Sequence, residues 1–571
     1  MSDPADPVAM TPPPGGRSFV SHARLIGAIT LVSRVVGLAR EMVGAYFFGA
    51  NAVWAAWKVA FTIPNLFRKL FGEGALSAAF IPLYAQALKR DASDPARPRD
   101  AGAFAAASVN LLVGLLLALT LLGEAALMLV YALAPLRPDH QLTVQLTMIM
   151  LPYVLLVCGT AFLSGILQVH DRFAAAAATA VVLNVCLIVA IVLAAARFDL
   201  STDAGQVSAV WWLSWGVLVS GAVQVLMLLP SLRAAGFRLR LTARLWTPAV
   251  KRMLRLTGPV ALGASVLQLG VLLDKGIALA LAEGPSGQTH VRPFGHALRL
   301  PMEEGAAARL DLAQFMYQFP LGVFAIALAT AIFPKLSTEA SGGAGNAPGG
   351  RDRPRATDEF RAVLRRGVQA SLFVGLPASA GMMLVALPAS RLLFEHGQFT
   401  AHDARWVALS TAIYSSAVWA FSLLQIVNRA YYALHDAVTP LVWVAINLLI
   451  NLVVELPLIW TPLGESGMAV GTLVSFSIQS LAMLWLLSRR AGGLGLRRVA
   501  APVGKMLLAT LAMTAACLLL IYSPLYPAGD GKLAWAAQLG LIIATGAVTY
   551  FLACAALGLE VSVALRRRPR D

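Results

Sequence analysis

The chain has 571 residues, of which 58% are hydrophobic and only 13% charged, with a mean hydropathy of +0.72. Soluble domains have about half apolar and a quarter charged residues, so this composition excludes a water-soluble globular protein. The net charge of +16 is concentrated in loops on one side of the predicted membrane segments, which indicates contact with anionic lipid and requires no nucleic acid.

Fourteen stretches are long and apolar enough to cross a bilayer, since about 20 apolar residues span roughly 30 Å of hydrocarbon. An even number of spans places both termini on one side, and the excess of Lys and Arg in the loops of that side predicts that it is the cytoplasm. We therefore expect a multi-pass protein of the bacterial cytoplasmic (inner) membrane. The approximate spans are 22–47, 52–88, 102–134, 143–168, 174–196, 207–230, 250–282, 310–335, 363–388, 404–433, 438–460, 465–488, 500–523 and 534–558.

Two sequence similarities six spans apart predict an internal repeat. A His-Asp dipeptide followed by an Asn joins spans four and five and also spans ten and eleven, and Pro82 and Pro334 end spans two and eight in similar segments. The fold class that we expect is all-α, with two six-helix lobes in parallel orientation and two C-terminal helices. The predicted parts are a disordered cytoplasmic tail (1–21), an N-terminal lobe (22–230), a C-terminal lobe (250–488), a two-helix appendage (500–558) and a basic cytoplasmic tail (559–571).

The first two spans contain an unusual number of cations. Arg34, Arg40, Lys58, Arg68 and Lys69 lie in otherwise apolar sequence, where a charge costs at least a few kcal/mol, so they indicate a water-filled cavity for an anionic ligand. Arginine binds oxyanions through a planar pair of donors. We therefore expect the three arginines to bind substrate, whereas Lys69 is expected to pair with a carboxylate or to reach the interface.

Other residues of these spans are expected to support the cavity. Glu41 follows Arg34 by seven residues and shares its helix face, and Glu73 can pair with Lys69 at i, i+4. Pro64 removes a backbone hydrogen bond, which predicts a bend suited to a moving gate.

Three further charges lie in the C-terminal half. Asp274 and Lys275 in the seventh span are either a self-compensating pair, which we favour, or an ion-coupling site. Glu455 in the eleventh span has no obvious partner and is a candidate carrier of a proton or cation.

Metal, thiol and nucleotide chemistry find no support in the sequence. The four cysteines sit singly in apolar spans without a metal-binding spacing, and no phosphate-binding loop is present. A membrane enzyme acting on lipid-linked sugars would need paired carboxylates or a metal cluster beside a loop. The only candidates, Glu395 with His396 and His402 with Asp403, lie on a short external loop with a turn-forming role. The external insertion 283–309 is interpreted as a tolerated surface loop.

Several segments identify a family resemblance. They are SRVVGLARE, FFGA, PNLFRKLFGEGALSAAFIP, TGPVALG, FPLGVFAIALATAIFPKLS and FEHGQFTAHDA. From about Arg24 to the last helix, the chain resembles the MurJ/MviN family of lipid II flippases, within a superfamily that also holds drug and polysaccharide exporters. The resemblance implies two lobes around a cationic cavity, with the last two helices forming a groove for a polyprenyl tail.

The resemblance also implies the cargo, the partners and the roles of individual residues. The cargo is the undecaprenyl-diphosphate-linked disaccharide-pentapeptide, moved outward by alternating access for cell-wall synthesis. The other partners are membrane lipids and cell-wall synthesis proteins. Arg34, Arg40 and Arg68 match the family's functional arginines, with Glu41 as an acidic partner and Glu73 as the acid of the FxEGAxS motif. No cofactor is expected, and a coupling cation or the membrane potential resets the empty cavity.

Two departures from the family pattern leave the substrate open. The family usually has an acid where this chain has Ala55, and an arginine where it has Phe315. We interpret the two as a coupled loss, with Lys58 as a replacement charge in the cavity. A flippase for another lipid-linked glycan of the same superfamily is therefore the alternative function, whereas a drug exporter is disfavoured by the basic cavity residues.

Overall fold

The computed structural model describes residues 16–72, 75–93, 100–237, 242, 245–291, 297–320, 326–342 and 357–559. These residues are predominantly helical. The helices are α1 (Gly16–Phe48), α2 (Ala52–Phe67), a π-helical turn (Arg68–Gly72), α3 (Ala75–Ser93), α4 (Asp100–Leu133), α5 (Pro138–Met150), α6 (Tyr153–Val169), α7 (Phe173–Arg197), α8 (Asp203–Ala234), α9 (Pro248–Ala280), α10 (Ala306–Pro320), α11 (Ile326–Gly342), α12 (Asp358–Phe394), α13 (Ala401–Ser416), α14 (Val418–Ala433), α15 (Val438–Ile459), α16 (Ser466–Arg490), α17 (Leu496–Ile521) and α18 (Lys532–Ala556).

The external insertion between α9 and α10 carries the described strands. Its 3-10 turn (Pro285–Gly287) precedes β1 (His290–Val291) and β2 (Leu298–Arg299), which pair antiparallel with His290 opposite Arg299. The insertion is therefore a small folded element.

The fold class is confirmed: the chain is an all-α, multi-pass membrane protein. Among the described residues, eight helices are long and apolar enough to cross a membrane, or up to ten if the bent pairs α5/α6 and α13/α14 each count as one span. Each of the fourteen predicted intervals contains helix. Helix content alone does not establish a crossing, so the number fourteen stays a prediction, as do the domain boundaries.

The second predicted span is broken near its proline. The Asn51 side chain accepts a hydrogen bond from the backbone N–H of Trp54 and so caps the start of α2. Pro64 cannot donate to the carbonyl one turn earlier, and the α-helix gives way to the π-helical turn just after it. The α-helix is thus interrupted close to Pro64, where the bend was predicted, and Arg68 is the first residue of the π-helical turn. The role of this segment as a gate stays a prediction.

The two His-Asp turns have the same backbone geometry, but their register differs from the sequence match by one residue. A left-handed residue ends each preceding helix, Asp171 with φ 56° and His435 with φ 58°. The next N–H in each turn donates to a carbonyl five residues earlier at 2.9 Å, closing a Schellman motif. Asp171 is thus equivalent to His435, and the dipeptide alignment, which paired it with Asp436, was wrong by one position.

The turn between α1 and α2 packs tightly against elements of the C-terminal half. The Gln398 N–H donates to the Tyr46 carbonyl at 2.9 Å, and Gly397 and Gly305 both have positive φ. A Cβ on Gly397 would lie 2.2 Å from the Tyr46 carbonyl oxygen, and one on Gly305 would lie 2.2 Å from that of Ala50. Glycine is required at both positions because the backbones touch there.

The last two helices pack on each other and on α12. Their described contacts form two small apolar clusters separate from the main core, one around Met513 and Tyr550 and one around Cys517 and Ile542. The Tyr550 hydroxyl donates to the carbonyl of Phe373 on α12 at 2.7 Å. Together, α17 and α18 form a layer attached to the outside of α12.

Candidate functional site

A cavity of about 670 Å³ lies between α1, α2, the π-helical turn, α6, α7 and α8, with α10 contributing one wall. Arg34, Arg40 and Arg68 all line it. The described lining contains no Asp or Glu, so three cationic groups face a shared space. Neutral amides and hydroxyls complete the polar part of the wall: Asn65, Gln168, Asn184, Gln224, Gln318, Ser33, Thr160, Ser164 and Thr179. The structure thus brings together the three arginines that were predicted to bind substrate, and their role in binding stays a prediction.

Two of the three arginines are oriented by neighbouring polar groups. Arg68 donates from Nε to Asn65 Oδ1 at 2.9 Å, and Arg40 forms an ion pair with Glu41 through Nη2. Arg34 forms no ion pair among the described residues. A guanidinium group has five N–H donors, so the single ion pair of Arg40 uses only part of the donor capacity of that side chain.

Lys58 does not belong to the cavity wall. Its side chain is buried, and Nζ bonds the carboxylate of Glu41 and Oδ2 of Asp311, the latter at 3.0 Å. The expectation that Lys58 supplies a replacement charge to the cavity is therefore wrong, because two carboxylates already neutralise it. Glu41 bridges Arg40 and Lys58, so it links a cavity arginine to a buried charge network.

Asp311 on α10 is the central residue that the sequence analysis missed. Its Oδ1 accepts a hydrogen bond from Lys275 Nζ at 2.5 Å, and Lys275 also donates to Thr62 Oγ1 at 2.9 Å. The expected pairing of Lys275 with Asp274 is wrong, because consecutive helical residues point about 100° apart and meet different neighbours. The available signal was a single carboxylate in an apolar span, which requires a partner on another helix.

Asp274 instead belongs to an acidic cluster between α9 and α15. Asn451 Nδ2 donates to Glu455 Oε2 at 2.8 Å and to Asp274 Oδ1 at 3.3 Å. Asp274 and Asn451 line a cavity of about 160 Å³. In the described part of the chain neither carboxylate forms an ion pair, and Glu455 Oε1 and Asn451 Oδ1 are buried without a hydrogen-bond partner. Glu455, for which the sequence offered no obvious partner, is thus linked to a second acid, Asp274, through the side-chain amide of Asn451.

A second buried ion network lies at the external end and was also missed. Arg309, at the start of α10, is only 2% exposed. It binds Glu465 through Nε and Nη2, and donates from Nη1 to Asp403 at 3.1 Å. Asp403 also completes the capping box of α13 with Thr400. These bonds connect the start of α10 to α13 and to the N-cap of α16.

The external residues considered for an enzyme have structural partners. His402 Nε2 lies 2.7 Å from Glu303 Oε2, and Glu395 pairs with Arg391 at 3.4 Å. With Asp403 in its capping box, these side chains serve helix ends and turns. Among the described residues, no group of three or more His, Cys, Asp or Glu is arranged to hold a metal ion.

The two departures from the family pattern occupy different surroundings. Ala55 is 2% exposed within the apolar core, whereas Phe315 lines the arginine cavity. The aromatic ring thus occupies cavity wall where the resemblance implies a cation. Glu73 lies outside the described residues.

Known proteins similar to this chain were found by sequence and by structure. Residues 44–529 match the family model described as lipid II flippase MurJ. A probable lipid II flippase MurJ of Rhizobium tropici is 30% identical over 559 residues, covering 96% of both chains. Another, of Rhizobium meliloti (strain 1021), is 33% identical and covers 82% of this chain and 80% of its own.

Two solved structures share the fold. A lipid II flippase MurJ in an inward closed conformation aligns with a TM-score of 0.70 at 20% identity, covering 93% of this chain and 98% of that one. An inward-facing multidrug resistance transporter of the MATE family aligns with a TM-score of 0.58 at 13% identity, covering 83% and 98%. At these identities, both comparisons concern the fold alone.

Proposed function

The chain belongs to the lipid II flippase MurJ family, and from this premise we propose that it moves lipid II from the cytoplasmic to the outer leaflet of the bacterial inner membrane. The observation that carries the proposal is the meeting of Arg34, Arg40 and Arg68 on one cavity whose described wall has no carboxylate. The family is one of transporters, so the chain is not an enzyme.

The chemistry of the cavity suits a diphosphate. Phosphate oxygens accept the paired N–H donors of guanidinium groups in charge-assisted hydrogen bonds, which are about twice as strong as neutral ones. The bond from Arg68 to Asn65 holds one donor plane in place before the ligand arrives, which reduces the entropy lost on binding. The amides of the wall offer both donors and acceptors to sugar hydroxyls and peptide groups.

Alternating access provides the path for the cargo. The diphosphate binds the three arginines while the polyprenyl chain stays in the lipid along α17 and α18, and the two lobes then rock to expose the head group outside. Both termini remain in the cytoplasm. Once the anion has left, an inside-negative potential draws the cationic cavity back, at about 2.3 kcal/mol per charge per 100 mV for a full crossing.

Ion coupling is assigned to the acidic cluster of Asp274 and Glu455. Two carboxylates that share one amide in a buried space repel each other, and a bound proton or cation relieves this repulsion. The oxygen atoms of Glu455 and Asn451 that lack partners are suitable ligands for a hard cation. Binding there would add a second driving force to the membrane potential.

The test is complementation of a bacterial strain depleted of its own lipid II flippase. The wild-type chain is expected to restore growth, and the Arg68→Ala variant is expected to fail at equal membrane abundance. Absence of rescue by the wild-type chain, despite its presence in the membrane, would contradict the proposal and favour another lipid-linked glycan as the cargo.

A further inference from the structure

Four charged side chains form a continuous chain across the interface of the two lobes. Glu41 on α1 bonds Lys58 on α2, Lys58 bonds Asp311 on α10 at 3.0 Å, and Asp311 bonds Lys275 on α9 at 2.5 Å. Their signs alternate. The first two belong to the N-terminal lobe and the last two to the C-terminal lobe, so the link between Lys58 and Asp311 is where the lobes meet.

The division of charge between the lobes is balanced. If the bond between Lys58 and Asp311 breaks, Glu41 stays with Lys58 and Asp311 stays with Lys275. Among these four residues, each lobe thus keeps one acid and one base, and Arg40, the other partner of Glu41, lines the cavity. No carboxylate is left without a cation in a low-dielectric interior, where an isolated charge would cost several kcal/mol. The lobes can therefore part and rejoin here without a large electrostatic barrier.

A second hydrogen bond, from a charged donor to a neutral acceptor, reinforces the same junction. Lys275 Nζ donates to Thr62 Oγ1 at 2.9 Å, from the C-terminal to the N-terminal lobe. Thr62 lies one turn after Lys58, so the two lobes are joined by two bonds on neighbouring turns of α2. Both bonds are broken by the same separation of α2 from α9 and α10.

The chain lies just inside the external closure. Lys58 is six residues into α2 and Asp311 five residues into α10, which places both roughly 8 Å below the outer helix ends at 1.5 Å per residue. Above them, the backbone at Tyr46 and Ala50 touches Gly397 and Gly305, and Glu304 accepts the Ala52 N–H at 2.9 Å. An outward opening must break both layers.

We propose that Glu41, Lys58, Asp311 and Lys275 form a charge-balanced latch that holds the external end closed and opens between Lys58 and Asp311. The inference rests on the alternating access of the proposed function but not on the identity of the cargo. The latch sets the fraction of molecules that are open to the outside, and its balance makes that opening reversible.

Lys58→Met is the sharpest test because it removes the bond between the lobes while leaving every carboxylate with a cation. Glu41 keeps Arg40, and Asp311 keeps Lys275. In the full chain with its four cysteines replaced, spin labels on Ser201 and Arg405, both exposed, report the distance between the outer ends of the lobes by double electron–electron resonance without substrate. We expect the population at the longer distance to rise about threefold or more.

Two further variants keep the test decisive. Thr62→Val removes the second bond without changing any charge and is expected to shift the same population less, which gives an answer even if Lys58→Met fails to fold. Lys251→Met, an exposed position on α9, is the matched control and should change nothing. Unchanged distance distributions in both Lys58→Met and Thr62→Val would overturn the latch. If the variants shift the distance distribution but the wild-type chain does not transport lipid II, the latch is supported and the proposed cargo is rejected.

Discussion

The arginine cavity and the buried latch contain the same kind of charge in neighbouring parts of the chain, yet they use it differently. Arg34, Arg40 and Arg68 face a shared space whose described wall has no acid, whereas Lys58 is enclosed by two carboxylates. A cation in a membrane span therefore has one of two fates, which depend on whether an acid on another helix can reach it. In the proposed function, the cavity arginines bind a ligand, whereas the charges of the latch pair with one another and stabilise the fold.

The largest effect on transport is expected from the cavity. Replacing any one of Arg34, Arg40 or Arg68 by Ala should reduce lipid II transport about 10- to 100-fold, because hydrogen bonds to charged groups contribute about 1.5–3 kcal/mol each. Transport in proteoliposomes containing lipid II is the measurement. The variants should remain folded, because the three arginines line a cavity and not a packed core.

Two comparisons sharpen this result. Lysine at the same positions should restore transport only in part, because it keeps the charge and loses the paired donors. Arg197→Ala, at an exposed position at the end of α7, controls for the general loss of a cation. Equal activity of all three cavity variants and this control would remove the cavity from the mechanism.

Substitutions in the latch are expected to lower the stability of the protein more than they lower transport. Glu41→Gln withdraws an acid from Lys58 and from Arg40, and breaking a buried ion pair from one side costs about 3–5 kcal/mol. We expect lower yield and a lower unfolding temperature in detergent. Adding Lys58→Met should recover part of the loss, because Lys58 and Lys275 then no longer share the single carboxylate of Asp311. A Glu41→Gln protein as stable as the wild type would mean that the buried network does not hold the fold.

The sequence predicted the fold and the cavity better than the buried pairs, for a physical reason. Hydrophobic length identifies helices locally, and a cluster of arginines in apolar sequence indicates a cavity. Lys58 shows that a single cation there can instead be buried against carboxylates. Pairing depends on rotation and depth of helices far apart in sequence. Lys275 is adjacent to Asp274 in the chain but bonds Asp311, 36 residues away. Neither Asp311 nor Arg309 carried a local motif, so both were missed.

A smaller effect on transport is expected from the acidic cluster, because its substitution should change ion coupling and not lipid binding. Asp274→Asn should reduce transport about tenfold or less and flatten its dependence on external cation and pH, because it removes one of the two carboxylates that we propose take up the ion. Initial rates in proteoliposomes across a range of Na⁺ concentrations and pH values provide the measurement. Asp530→Asn, at an exposed external position, is the matched control. An unchanged cation and pH profile in Asp274→Asn would exclude the cluster from coupling.

The smallest effect on transport is expected at positions 55 and 315, where the chain departs from the family pattern. A coupled loss predicts poor expression of Phe315→Arg, because the new charge would have no acidic partner. However, Phe315 lines the cavity, so we expect an arginine there to be tolerated. Ala55→Asp places a carboxylate in the core and should destabilise the protein. If the two positions meet, the double variant should recover about 0.5–3 kcal/mol of unfolding free energy.

A neighbouring position controls this cycle. Ala56→Asp introduces the same carboxylate at another buried site of α2. Phe315→Arg should not rescue it if the recovery requires contact between positions 55 and 315. Purely additive effects at 55 and 315 would show that the acid and the base were lost independently.

The most direct test of the arginine cavity asks whether it recognises the diphosphate. Transport in proteoliposomes would be compared for two lipids with the same polyprenyl chain and sugar, one linked through a diphosphate and one through a monophosphate. We expect the wild-type chain to prefer the diphosphate by about tenfold or more, and the triple variant Arg34→Ala, Arg40→Ala, Arg68→Ala to lose that preference. A triple variant that still transports the diphosphate-linked lipid with the wild-type preference would contradict the account.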